Sequence, residues 1–82
     1  MILEYIEGHL VDLTEDKITR ANVMSDMTDL VRNNKNKPNG RDVNSKIILG
    51  IFSKHSIDRT RDELVIVSQK IAKQIDAIAW RE

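Results

Sequence analysis

Apolar residues recur along most of this chain at the spacing of one helix face. Ile2, Leu3, Ile6, Leu10 and Leu13 predict a first helix over residues 2–13. Gly8 weakens it, since a mid-helix glycine costs about 1 kcal/mol relative to alanine. Thr14 is the expected N-cap of a second helix, 15–32, with Glu15 and Asp16 in its first turn. Ile18, Ala21, Val23, Met24, Met27, Leu30 and Val31 form its apolar side. Residues 33–41, NNKNKPNGR, read as a loop, because asparagine, proline and an Asn-Gly pair favour turns and left-handed backbone. Asp42 is placed to cap a third helix, 43–55, with Val43, Ile47, Ile48, Ile51 and Phe52 on one face. A strand over 46–52 is the alternative there, because β-branched residues suit a pleated surface.

The last stretch has the strongest signal. Thr60-Arg61-Asp62-Glu63 is a capping box, and its two acids suit the positive end of the helix dipole. Leu64, Val67, Ile71, Ile75 and Ile78 then follow at intervals of three or four, predicting an amphipathic helix over 61–80. The expected architecture is all-α: one domain spanning 1–82, a compact bundle or orthogonal array of four helices with a long C-terminal helix. With Tyr5, Phe52 and Trp80 as the aromatics, the core should be aliphatic.

The chain has no cysteine, so a disulfide or thiolate metal site cannot staple it, and helix packing must hold it together. Its zero net charge conceals an asymmetry. Residues 1–31 carry seven acids against Lys17 and Arg20, a balance of −5, while residues 32–46 stand at +4. Such a division favours charge complementarity within or between molecules as readily as nucleic-acid binding. The N-terminal segment has acids where a signal peptide needs bases, and no uncharged run approaches the about 20 residues that span a bilayer. Together these point to a cytoplasmic protein without membrane insertion.

Candidate chemistry is sparse. His9, Asp12 and Asp16 share a helical spacing, but Thr14 interrupts it and no fourth metal ligand stands nearby. His55, Asp58 and Asp62 straddle a helix break and read better as helix-end electrostatics. With no cysteine nucleophile and no glycine-rich phosphate loop, the expectation is a protein without catalytic residues, metal or cofactor. Arg32, Lys35, Lys37, Arg41 and Lys46 concentrate positive charge around the loop and could meet phosphates. Against nucleic acid, the last helix opens with acids and aliphatics where base-reading groups belong, and no aromatic platform accompanies the loop. Protein binding is the remaining class. Ile66 and Trp80 fall at the margins of the last helix's stripe, where exposed apolar side chains become contact anchors. The expected binding residues are therefore Trp80 and Ile66, with Arg32, Lys35, Lys37 and Arg41 as charged partners, and self-association through the last helix is a further expectation.

The chain resembles the cytoplasmic antiholins of T-even bacteriophages, products of the third rapid-lysis locus. The opening MILEYIEGHLVDLTEDK, the middle rich in asparagine and lysine, the segment SKHSIDRTRDE and the length carry the resemblance. It implies a protein that binds the cytoplasmic N-terminal segment of the phage holin and so supports lysis inhibition. The runner-up is a small phage or mobile-element regulator that binds nucleic acid or the transcription machinery through the basic loop.

Overall fold

Four helices form, with no strand among the described residues: α1 Ile2–Leu13, α2 Lys17–Asn36, α3 Arg41–Lys54 and α4 Arg61–Arg81. The structure is a computed structural model that describes residues 2–81, with side chains described through Ile78. Residues 46–52, where a strand was the alternative, are helical throughout.

α1 buries Ile6, Leu10 and Leu13 and runs unbroken through Gly8. Its last turn closes with the Thr14 amide donating to the Leu10 carbonyl at 3.0 Å. The start of α2 differs from the expected cap at Thr14. The Thr14 hydroxyl accepts from the Asp16 amide at 3.2 Å, and Asp16 becomes the N-cap. Its carboxylate accepts from the amides of Ile18 at 2.9 Å and Thr19 at 3.2 Å. A carboxylate satisfies two orphan donors and also puts negative charge at the dipole's positive end, which a threonine hydroxyl cannot. Ile18 is 75% exposed, and the buried stripe of α2 begins only at Val23.

The other end of α2 runs four residues past the expected 32, to Asn36, so the connection to α3 shrinks to residues 37–40. Asparagine is a poor helix former, but Asn34 lies one turn beyond Leu30 in the buried register and is itself 2% exposed. Tertiary hydrogen bonds thus override propensity. α3 begins at Gly40 rather than at an Asp42 cap. Gly40 sits at φ 91°, ψ 161°, a region open only to glycine among the residues, and Asp42 falls in the first turn instead.

α3 ends in a Schellman motif. The Ile57 amide donates to the Phe52 carbonyl and the Ser56 amide to the Ser53 carbonyl, each at 3.1 Å. Ser56 takes the left-handed conformation at φ 55°, where glycine is the usual occupant, and Ile57 tucks back into the core. The capping box of α4 forms as expected: the Glu63 amide donates to the Thr60 hydroxyl at 3.3 Å, and that hydroxyl donates to the Glu63 carboxylate at 2.9 Å. Arg59 also grips this carboxylate, and Arg59 first, then Thr60, hold its pKa below the usual carboxylate range.

The bundle is a diamond in section. α4 and α2 each touch all three other helices, α3 packs most extensively on α4, and α1 and α3 do not meet among the described residues. The core is aliphatic apart from Phe52: Ile6, Leu10, Val23, Met27, Ile48, Ile71, Ala72 and Ile75 are almost wholly buried with it. Each large aliphatic side chain so buried contributes about 1.5–3 kcal/mol. None of the helices is long and apolar enough to cross a membrane, among the described residues.

Candidate functional site

Two open grooves flank α3, and each is built by a different row of its side chains. The row Asn44, Ile48 and Phe52 is buried. The adjacent row, Val43, Ile47 and Ile51, is shifted round the helix by one residue and is less covered: Val43 is 48% and Ile47 38% exposed, while Ile51 is half-buried against the core. Sequence reasoning placed both rows on a single buried face. The two rows lie about 100° apart on the helix, and packing buries only the first of them fully.

The first groove runs between α2 and α3 and encloses about 410 Å3. Leu30, Ile47 and Ile51 supply its apolar surface, with Asp26 and Asp29 on the α2 rim and Lys54 on the α3 rim. One end is clamped by a charge cluster. Asp26 Oδ2 lies 2.7 Å from His55 Nε2 and 3.3 Å from Lys54 Nζ. The other end is fastened by asparagines. Asn44 Nδ2 donates to Asn34 Oδ1 at 3.0 Å, the Asn39 amide donates to the same oxygen at 3.1 Å, and Asn39 Nδ2 donates to Asn44 Oδ1 at 3.1 Å. Asn34 Nδ2 points to the Ile75 carbonyl of α4 at 3.5 Å. The groove therefore has rigid ends and an apolar floor.

The clamp makes a pH prediction. The hydrogen bond from His55, and then Lys54, hold the Asp26 carboxyl below its ordinary range despite partial burial. A carboxyl whose folded pKa is depressed stabilises the fold above its unfolded pKa of about 3.9, and that contribution is lost as pH falls through the folded value. Asp26→Asn should accordingly be less stable than the parent at about pH 7, with the difference shrinking by about pH 3. Urea midpoints at the two pH values check this, and a constant difference would contradict it.

The second groove, between α3 and α4, encloses about 790 Å3. Leu49 and Val65 give it an apolar floor and Ile66 an apolar edge, and Arg41, Lys46, Arg61, Lys70 and Lys73 surround it, with Asp42 as the lone acid. None of these five cations forms an ion pair among the described residues. Ile66 also borders the groove between α1 and α4, so it caps the outer crest of α4 with one groove on either side.

Of the expected binding residues, Ile66 and Arg41 thus meet in one place. Ile66 is 52% exposed, as its marginal position suggested. Arg32, Lys35 and Lys37 are elsewhere. Arg32 lies on α2 with Nη1 4.0 Å from Asp29 Oδ1, Lys35 is in the last turn of α2, and Lys37 is its exposed C-cap. The side chain of Trp80 falls outside the described residues. Sequence reasoning did not assemble the cationic groove, because Lys46 is separated from Lys70 and Lys73 by a turn and half a helix. His55 was read as a helix-end charge. It is the C-cap of α3, but its partner is Asp26, 29 positions earlier. Asp12 lies on α1 and borders the α1/α4 groove with His9, whereas Asp16 is engaged as a cap. No cluster of three or more potential metal ligands occurs among the described residues.

Comparisons with protein-family models, with curated proteins and with solved structures found no match to this chain.

Proposed function

We propose that this chain is a non-enzymatic regulatory protein that binds a short cytoplasmic segment of a membrane protein, as its resemblance to the phage antiholins implies for the holin N-terminus. The observation that carries the reading is the α2/α3 groove, where exposed Ile47 and half-buried Ile51 lie one turn apart between two anchored ends. Helix-in-groove recognition requires that arrangement: the apolar face of an amphipathic segment lies in the groove, anchored at intervals of three and four residues. The rims then orient the segment. Cytoplasmic stretches beside a membrane helix carry an excess of lysine and arginine. The Asp29 side chain, 66% exposed on the α2 rim, offers such a segment an acidic contact. The cationic groove between α3 and α4 would repel it. Binding to the holin would support lysis inhibition by holding the holin in its inhibited state.

The test is titration of the protein with a labelled peptide of the holin's cytoplasmic N-terminal segment, followed by fluorescence anisotropy. Ile47→Asp should weaken binding by about 30-fold or more, the loss typical of an interface anchor, while far-UV circular dichroism stays unchanged. Binding that is indifferent to Ile47→Asp would remove the groove from the interface. No binding by the parent protein would sink the holin reading.

A further inference from the structure

The face of the molecule centred on α4 is self-complementary, and we infer that two copies of the chain pair through it about a two-fold axis running along α4. The argument starts from the order of helices. α4 lies between α1 and α3, which do not touch, and Ile66 stands at its exposed crest with a groove on each side. On one flank is α1, whose residues Ile2–Leu13 include Glu4, Glu7 and Asp12 and no lysine or arginine. All three acids are exposed, Asp12 beside α4 and Glu4 and Glu7 further round the helix, and Tyr5 and Val11 are 37% and 52% exposed. On the other flank is the α3/α4 groove, with its unpaired cations and its apolar floor.

An acidic helix with outward apolar groups and a cationic groove with an apolar floor are matched in chemistry, but within one molecule α4 stands between them, and of the groove's cations Lys70 alone also lines the α1/α4 groove beside Asp12. Symmetry brings them together. A two-fold axis parallel to α4 sets α1 of each copy over the α3/α4 groove of the other, so the favourable contact is made twice, with the two Ile66 side chains near the axis. An axis perpendicular to α4 within the same face would stack α1 on α1, acid on acid, and like charges so juxtaposed cost several kcal/mol. Electrostatics thus selects one orientation out of two. The apolar floor favours a protein occupant over a nucleic-acid backbone, which would use the cations and leave Leu49, Val65 and Ile66 without a partner. The pairing leaves the α2/α3 groove open on both copies, and it does not depend on the partner proposed above.

The experiment uses the chain alone, in sedimentation velocity across a concentration series at low and high salt. The parent protein should dimerise, more weakly as salt screens the charges. Two surface variants then test the pairing: K46E/K73E, which reverses the groove, and E4K/D12K, which reverses α1. Each alone should dimerise roughly tenfold more weakly or worse, because both copies of the contact become like-charged. Mixed in equal amounts, the two should form a heterodimer, since each reversed element then meets its complement. A parent chain that stays monomeric at every soluble concentration overturns the proposal, as does a mixture that remains monomeric. Salt-sensitive binding of a fluorescent single-stranded oligonucleotide by such a monomer, lost in K46E/K73E, would give the groove to nucleic acid instead.

Discussion

Asn44→Ala should cost the fold about 2–4 kcal/mol, far more than a polar-to-alanine change on a small helical protein usually does. Asn44 is wholly buried, donates to Asn34 Oδ1 and accepts from Asn39 Nδ2. Each neutral hydrogen bond contributes about 0.5–1.5 kcal/mol net, and a buried group left unsatisfied costs about 1–3 kcal/mol more. The substitution removes two bonds, strips Asn39 Nδ2 of its acceptor and leaves a void beside the helix. For a chain of this length total stability is about 4–12 kcal/mol, so the variant should melt well below the parent. Ser68 marks the contrast. It is equally buried, but its hydroxyl donates to the Val65 carbonyl of its own helix at 2.8 Å, and no other element relies on it. Urea unfolding at fixed pH measures the loss. A loss below about 0.5 kcal/mol would mean that the asparagines do not act as a connected network.

The same asparagines explain what the pattern of residues conceals. The four helices and the capping box at Thr60 are legible because each follows from local spacing, whereas residues 46–52 suit helix or strand by spacing and β-branching and are helical in the fold. Asn34 and Asn44 are also in the pattern, one turn from Leu30 and one turn from Ile48, at positions where an apolar residue is expected. A polar side chain in the buried register is a signal in itself, since it must find a partner. In a tract of four asparagines that signal is masked by composition, which argues for a loop. Local propensity and tertiary bonding conflict there, and the bonding wins.

The binding surfaces were legible to a lesser degree, for a different reason. Ile66 is exposed because it sits off the stripe of its helix, and periodicity alone is enough to show that. The α3/α4 groove joins residues 41–46 to residues 61–73, and no local pattern indicates which face of α3 meets which face of α4. The less covered row of Val43, Ile47 and Ile51 was missed because α3 has apolar groups on two adjacent rows. Only packing decides which row is buried, and Phe52 belongs to the row that is.

Phe52→Ala should cost about 3–5 kcal/mol, the range for deleting a fully buried aromatic ring. Phe52 is 0% exposed and lies in the core cluster with Ile48, Ile71 and Ile75. No disulfide limits the unfolded chain, so the loss falls on packing alone and takes a large share of about 4–12 kcal/mol. Phe52→Leu, closer in volume, should cost much less, which separates the cavity from a general intolerance to change. The two predictions for α3 also act on different links to function. Ile47→Asp should abolish docking in a folded protein. Phe52→Ala should weaken docking only through the unfolded fraction, so an osmolyte that drives burial should restore it. Docking by Phe52→Ala that stays weak after the fold is recovered would mean that the less covered row of α3 depends on the ring for its placement as well as its stability. A cost below about 1.5 kcal/mol would show instead that the core around Phe52 collapses to fill the space.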